Sequence, residues 1–453
     1  MAPLLTWQDP VGLDTITKVT ACCIPEWPNG LHDYQLDPIS KILDRKSVFF
    51  VGGTGCEKAA LFMVPLVVHR ELTVRPQPQL YPNLPVQERA VVVVITPTKG
   101  LASSIISEAE SLGLNGLSYC HNTWDLICVD PEHLNSIDEA HLIKSWGLGF
   151  RPAFDLIGAC ARGHLPHSVP ILALTATLPP GQSTVDVLQS LGLEEGHFHF
   201  IRCSNERDNM HIAVETMQRI PGMSKYAPLL DYLRSGRKTV VHVNTIPVAY
   251  EIYEFLWSHS PDLPSTPPYA DVPQPLSSLR PSHLLRAPIG YSSWIAFRGD
   301  FPLHLDDFWQ VKGRAGRKPG VVCRGVAIVP KKMVESAQNF LNALEAGEHA
   351  KTTAGGGKKS KRKGRKKNGG LTGEMEEGKA RFLAETSCYN TVLNQYYGNP
   401  PTDATQHDCM EANRKVFCGL CSARYSKNFT VDNGNSVLVW LPIMAQDVKK
   451  TRQ

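Results

Sequence analysis

Three groups of residues in this 453-residue chain could do chemistry. The run Asp138-Glu139-Ala140-His141 offers two adjacent carboxylates, of the kind that hold Mg2+ and activate water beside a nucleoside triphosphate. Trp146, Phe150 and Arg151 follow, two flat aromatic faces and a guanidinium that could stack on nucleic-acid bases. The acids would equally suit an exposed helix start, and the aromatics a core. Upstream, Gly52-Gly53-Thr54-Gly55-Cys56-Glu57-Lys58-Ala59 has the glycines and lysine of a phosphate-binding loop. Glu57 stands where such loops carry a further glycine, and Ala59 where they carry the hydroxyl that binds Mg2+. The third group is Cys388-x20-Cys409-x8-Cys418-x2-Cys421, whose last two thiols have knuckle spacing. Structural Zn2+ is the favoured use for these four, with redox chemistry the main rival.

The elements that must position these groups read as α/β. Apolar runs at Ser47–Val51, 90–95, Leu126–Val129 and 171–174 alternate with helical stretches. Continuous apolar strands with helices between them indicate a parallel sheet covered on both faces, with ligands at the carboxyl ends of the strands. The loop at Gly53-Thr54-Gly55 and the Thr175-Ala176-Thr177 tripeptide fall at such ends. A second α/β segment begins near Asn209, with a strand at Lys238–Val243, a helix over 248–257 and further strands at 293–297 and 325–329.

Composition sets the surroundings. No apolar run approaches the roughly 18 residues that cross a bilayer, so no membrane association is expected. The opening residues lack a secretory signal, which predicts an intracellular protein. The net charge of +4 conceals an asymmetry, because residues 351–368 hold nine Lys or Arg and no acid, leaving the remainder net acidic. That block is expected to be disordered and reads as a nuclear import signal, a nucleic-acid tether or a plain solvated linker.

In this order the motifs resemble those of RecQ-family DNA helicases, from about Gln35 to Cys421. The likeness rests on the Asp138–His141 box running into Trp146, Phe150 and Arg151, and on Gln310-Val311-Lys312-Gly313-Arg314-Ala315-Gly316-Arg317. Further matches are Gln35 ahead of the loop, Ile95-Thr96-Pro97-Thr98, Pro131-Glu132-His133-Leu134, Thr175-Ala176-Thr177 and Arg207-Asp208-Asn209. The stretch from Cys388 to Gly398 resembles the family's zinc-domain helix.

The resemblance implies two RecA-like parallel-sheet domains plus a small zinc-binding helical subdomain. The expected boundaries are 1–205 for the ATP-binding domain and 206–345 for an incomplete second one. A basic linker over 346–380, a zinc subdomain over 381–425 and a tail over 426–453 follow. It implies ATP, Mg2+ and Zn2+ as cofactors, single-stranded and duplex DNA as partners, and 3′–5′ unwinding in DNA repair or recombination in the nucleus. Gln35, Thr54, Gly55 and Lys58 would bind ATP, with Gln35 reading adenine. Asp138, Glu139 and His141 would act with Gln310, Arg314 and Arg317 in hydrolysis. Trp146, Phe150, Arg151, Thr175 and Thr177 would meet DNA, and Cys388, Cys409, Cys418 and Cys421 would hold the metal.

Two stretches depart from the family. Only three residues separate Leu134 from Asp138, where a strand should present the acidic box, and the family's Gly-Met-Gly-Ile-Asp segment is replaced between Trp257 and Ile295. With 32 residues after Cys421, a short form without the winged helix is expected. Glu57, Ala59 and the two gaps support an alternative, a catalytically impaired DNA-binding protein of helicase descent.

Overall fold

The computed structural model describes residues 5–76, 84–95, 99–117, 126–129, 158–159, 163, 169–217, 224–233, 238–243, 246–259, 285–286, 294–297, 305–312, 315, 321–353, 375–401, 403–427 and 436–441. The chain forms two compact units, Met1–Asn205 with Tyr397–Pro400, and Glu206–Tyr396 with Pro401–Gln453.

The first unit opens with α1 (Pro10–Cys23), which starts on a proline whose missing N–H is harmless in a first turn. α2 (Asp33–Leu43) is closed at its start by a capping box between His32 and Gln35. β1 (Ser47–Val51) then enters the phosphate-type loop, which leads into α3 (Ala60–Val74). From Leu61 to Val68 every apolar side chain of α3 is buried. A helix apolar on all sides belongs inside, and each such side chain contributes about 1.5–3 kcal/mol by leaving water.

After α3 come β2 (Val92–Ile95), α4 (Lys99–Ser111), β3 (Gly116–Leu117), β4 (Leu126–Val129), β5 (Leu172–Thr175), α5 (Gln182–Ser190) and β6 (Phe198–Arg202). Strands β5-β1-β6 form one parallel group and β2-β4-β3 another. Ile95 of β2 shares a core with Phe49, Val51 and Ala173, which packs the two groups together. The opposite face of β1, through Val48 and Phe50, packs on α1, α2 and α3. This is the parallel sheet covered on both faces that the apolar strands predict.

The second unit holds β7 (Met210–Met217), α6 (Leu229–Leu233), β8 (Lys238–Val243), α7 (Ile246–Ser258), β9 (Leu285–Arg286), β10 (Trp294–Phe297), α8 (Leu305–Lys312) and β11 (Cys323–Pro330). α9 (Lys331–Thr353), α10 (Glu377–Ala384), α11 (Tyr389–Tyr397), α12 (Asp403–Gln406), α13 (Gly419–Arg424) and β12 (Ser436–Leu441) complete the chain. Its six strands run β7-β11-β12-β8-β10-β9, all pairings parallel except β9–β10. In α7 the buried residues Val248, Ala249, Ile252, Tyr253 and Leu256 recur at helical spacing and define its inner face.

Two sequence expectations change here. The linker expected from residue 346 is helical through Thr353, and α10 resumes at Glu377. Met333 and Ala337 anchor the start of α9 in the core, and the Ala, Leu, Glu and Lys residues that follow favour continuing the helix. The densest part of the basic block, 358–367, lies outside the described residues. The stretch expected to be a tail contains β12, which sits in the sheet between β11 and β8 and is paired with both.

Candidate nucleotide site and cysteine cluster

The carboxyl end of β1 is where the candidate phosphate loop begins. Gly52 donates its N–H to Thr175 O at 2.9 Å, tying the loop to the end of β5. A side chain on Gly53 would come within 3.0 Å of Asn205 Cα, so a bare backbone is needed there. Gly55 has φ +91° with open space around it, a conformation that favours glycine. Thr54 is half-buried and Gly55 exposed at the tip.

Lys58 reaches back under this turn, its Nζ donating to Gly52 O at 3.1 Å and Gly53 O at 3.2 Å. The ammonium is therefore held at the loop by two carbonyls that a polyphosphate could replace. Glu57 is exposed at φ +49°, a left-handed backbone that a glycine would adopt without strain. Ala59 is the N-cap of α3 and supplies no side-chain cap. The donor set thus fits a polyphosphate through Lys58 and the glycines, and lacks the loop hydroxyl that would reach magnesium.

Gln35 occupies a different place from the adenine reader expected. It is 2 % exposed. Its Nε2 donates to Cys56 O and Glu57 O, both at 3.3 Å, while its Oε1 accepts from His32 N at 2.9 Å. One side chain both caps α2 and fixes the loop, which leaves its amide engaged by protein. Beside it, Tyr34 stacks on His32 with ring centroids 5.0 Å apart and planes 9° from parallel. Burial raises the Tyr34 hydroxyl to about 12, and Cys56, Glu57 and Cys203 nearby add to this.

The resemblance implies that Thr175 and Thr177 touch DNA. Both are fully buried, and the Thr175 hydroxyl bridges to Thr177 O at 3.3 Å, so they shape the β5 end from within. The reason is their position at a strand end closed over by Asn205, whose Nδ2 donates to Ala176 O at 3.3 Å. The role of Asn205 was not legible in the sequence; its signal is its place just beyond β6. It also pairs with Asn399, whose Oδ1 accepts from Asn205 N at 3.1 Å. Asp138, Glu139, His141, Trp146, Phe150 and Arg151 lie outside the described residues, as do Arg314 and Arg317.

In the second unit, Gln310 lies on α8. Arg207 and Asn209 reach the backbone of Ala315 and Val321. Arg207 Nη2 donates to Ala315 O at 3.1 Å, and Asn209 Nδ2 to Val321 O at 2.8 Å.

The four C-terminal cysteines converge as expected. Cys388, Cys409, Cys418 and Cys421 are all buried, with every sulfur within 4.8 Å of the others. Cys388 Sγ lies 3.7 Å from Cys409 Sγ and 3.9 Å from Cys418 Sγ. A tetrahedron with metal–sulfur bonds of about 2.3 Å has edges of roughly 3.8 Å, so the cluster already has the size of a four-thiolate metal site. Hydrogen bonds from Cys409 and Cys418 pull the Cys388 thiol far down, and the same sharing drives Cys409 up. Glu385 Oε1 accepts the N–H groups of Thr386 and Cys388 at 3.0 and 3.2 Å, which sets the turn entering the cluster. On the other side, Gly419 meets Ala213 of β7, and His211 Nδ1 lies 2.7 Å from Phe417 O. These contacts seat the cysteine segment on the first strand of the second unit.

No family model matches the chain. Curated proteins do. The ATP-dependent helicase SGS1 of Saccharomyces cerevisiae is 24 % identical over 209 residues, covering 41 % of this chain and 14 % of that protein. The ATP-dependent DNA helicase Q5 of Rattus norvegicus is 28 % identical over 207 residues, 41 % of this chain and 21 % of its own. The ATP-dependent DNA helicase RecQ of Pasteurella multocida is 30 % identical over 115 residues, 24 % of this chain and 16 % of its own. The matched regions thus span about a fifth or less of each relative's length. On these matches, and on the order of its motifs, the chain is a relative of the RecQ helicases.

Proposed function

We propose that this chain is an ATP-dependent DNA helicase of RecQ type, which couples hydrolysis of Mg-ATP to 3′–5′ movement on single-stranded DNA and to duplex unwinding. Repair and recombination are its setting, and the basic block at 358–367 supports a nuclear location. The observation that carries the reading is the Lys58 ammonium held beneath the glycine loop at the carboxyl end of β1. In this reading residues 1–205 form the ATP-binding RecA-like domain and 206–345 a second one.

The parts divide the work by charge. Lys58 and the loop N–H groups would bind the phosphates, and Gln35 would keep the loop in shape from behind. Asp138 and Glu139, with His141, would hold the metal and orient the attacking water. Gln310, Arg314 and Arg317 would meet the negative charge that develops on the transferred phosphoryl group, a task suited to a fixed guanidinium fork. Mg2+, when bound, would neutralise phosphate oxygens. Trp146, Phe150 and Arg151 would contact the strand. The four cysteines would hold a structural Zn2+ that fixes a segment too small for a core of its own.

A second reading is a DNA-binding protein of helicase descent with impaired hydrolysis. It is favoured by Glu57, whose carboxylate and left-handed backbone stand in the phosphate loop, and by the missing hydroxyl at Ala59. DNA-stimulated ATPase activity of the purified chain, compared with Lys58→Ala, separates the two. Equal background rates would sink the motor and leave the binding protein. If the chain is active, Glu57→Gly with Ala59→Ser should raise the rate.

A further inference from the structure

We propose that Cys56 and Cys203 form an oxidation site: a small disulfide such as oxidised glutathione links them, and the link locks the nucleotide loop closed. The effect on nucleotide rests on the ATP-site reading above; the link itself does not.

The placement follows from the strand register. β1 and β6 are parallel, with Phe50 opposite Ile201 and Val51 opposite Arg202. Cys203 continues this ladder, its N–H donating to Val51 O at 2.8 Å, and so stands opposite Gly52. Opposed residues in a parallel pair face the same side, and that side repeats every second residue. Gly52 and Cys203 therefore share the face of Phe50 and Ile201, and Cys203 does pack against that core. Cys56 packs against the same core.

Gly52 shows where the Cys56 sulfur lies. A Cβ on Gly52 would stand 3.0 Å from Cys56 Sγ and 2.4 Å from Phe50 Cε1. The sulfur thus covers the bare face of Gly52, with Cys203 one strand spacing away, about 4.8 Å. No side chain on Gly52 separates the two cysteines. Disulfide closure needs Cβ atoms about 3.5–4.5 Å apart, a small movement for a residue on a loop. Cys56 sits between Gly55 at φ +91° and Glu57 at φ +49°, the two left-handed residues of the turn.

Neither cysteine is in a disulfide, and both are half-buried, so neither is sealed from solvent. The Cys56 thiolate attacks one sulfur of oxidised glutathione and releases one glutathione thiolate, leaving a mixed disulfide. The Cys203 thiolate then attacks Cys56 Sγ and expels the second glutathione. Two protein thiols are oxidised to one disulfide, their two electrons reduce one oxidised glutathione to two thiols, and their protons pass to those thiols. Burial, with Cys56 and Asp37 nearby, raises the Cys203 thiol to about 11, so the second step is the slow one and quickens as pH rises. Reduction by excess thiol reverses both steps. Intracellular disulfides of this transient kind commonly serve as redox sensors.

The consequence falls on the phosphate loop. Cys56 O and Glu57 O are already held by Gln35, and Lys58 by the loop carbonyls. A covalent tie from Cys56 to the end of β6 would fix the turn that has to wrap the phosphates.

The test equilibrates the full chain with glutathione at set redox ratios. Non-reducing peptide mapping reads the link, amide exchange over 53–59 reads loop opening, and a fluorescent ATP analogue reads affinity. We expect a Cys56–Cys203 peptide, slower loop exchange and about tenfold weaker nucleotide binding, all reversed by dithiothreitol. Cys203→Ser should abolish the response and Cys22→Ser should retain it. Absence of the linked peptide under oxidising conditions would overturn the proposal. So would a link that changes neither exchange nor affinity, a response surviving in Cys203→Ser, or a loss of affinity that follows metal release from the four-cysteine cluster. Failure of the reduced chain to bind nucleotide would instead overturn the ATP-site reading, while the peptide map and loop exchange would still decide the thiol pair.

Discussion

Arg414 and Glu206 form a buried two-point ion pair, Nε to Oε1 at 2.5 Å and Nη2 to Oε2 at 3.2 Å. The Arg414 side chain is 3 % exposed. Asn394 Nδ2 adds a third donor to the same carboxylate at 2.6 Å, and Arg414 Nη1 reaches His407 O at 2.8 Å. Glu206 precedes β7, whereas its partners belong to α11 and to the segment between Cys409 and Cys418. One carboxylate thus anchors the cysteine segment to the second unit.

Removing that anchor leaves a buried guanidinium without its counter-charge, which costs about 3–5 kcal/mol in sites of this kind. Glu206→Ala should therefore lower the melting temperature and loosen the cysteine cluster, seen as faster loss of bound metal to a chelator. Asp37→Ala, which disturbs an exposed i,i+4 pair with Lys41, should change stability by less than about 1 kcal/mol. Equal small effects from both substitutions would show that the anchor has no such role.

The four thiols make a prediction about metal. The purified chain should contain one zinc per molecule by elemental analysis. Chelation should lower the melting temperature, and Cys418→Ala should reproduce the loss without chelator. A metal-free protein with an unchanged melting curve would overturn the structural-zinc reading.

Gln35 carries a third prediction, because its side chain joins α2 to the loop. Gln35→Ala should raise the KM for ATP, since Cys56 O and Glu57 O lose their common donor. Loss of the cap and of a buried hydrogen bond should cost about 1–2 kcal/mol of stability. Gln35→Glu should be worse than Ala for the loop, because a carboxylate would face two carbonyl oxygens. Unchanged KM in both variants would separate Gln35 from the nucleotide site.

These residues show where sequence was a good guide. Apolar runs bounded by turn residues mark β1 and β4 to the residue, and β1, buried from Val48 to Val51, shows why: a strand buried on both faces has to be continuously apolar. Cysteine spacing located the cluster, because four thiols in a short segment have few other uses. Gln35 stands out in the sequence by its distance to the loop, yet its contacts depend on the fold of α2 against that loop. Thr175 and Thr177 carried a recognisable motif, but motif spelling says nothing about burial. β12 is not legible locally, because its run follows a polar segment and pairs with strands more than a hundred residues away. Pairing across such separations is not written in local pattern.

His69 yields a pH dependence. It lies in α3 beneath the edge of Trp7, and its Nδ1 accepts the Gln87 N–H at 3.3 Å. Burial, aided by Arg45, lowers its pKa from 6.5 to about 4. In the unfolded chain the ring takes up a proton near 6.5, so the unfolded state binds more protons between those values. Stability is therefore full above about pH 6.5 and falls as pH drops toward about 4, by up to about 3 kcal/mol. His69→Gln should reduce the difference between urea midpoints at about pH 7.5 and about pH 5. An undiminished difference would place the acid sensitivity elsewhere.

The last prediction concerns β12. Its register sets Arg324 to Ala327 against Val437 to Trp440, and Lys238 to Val243 against Ser436 to Leu441. Without β12, β11 and β8 would each lose a parallel neighbour, and their backbone N–H and C=O groups would be left unpaired in the middle of a sheet. Ending the chain after residue 429 should destabilise the second unit and promote aggregation, read by size-exclusion chromatography and by early loss of the cooperative melt. Ending it after residue 442 keeps the strand and should leave both unchanged. If the shorter chain stayed monomeric with a native melting curve, β12 would be dispensable to the sheet. If both truncations aggregated alike, the residues beyond Leu441 would be responsible instead. The comparison therefore assigns the effect to the segment that carries the strand, because the two chains differ only in residues 430–442, which include the six that pair on both sides.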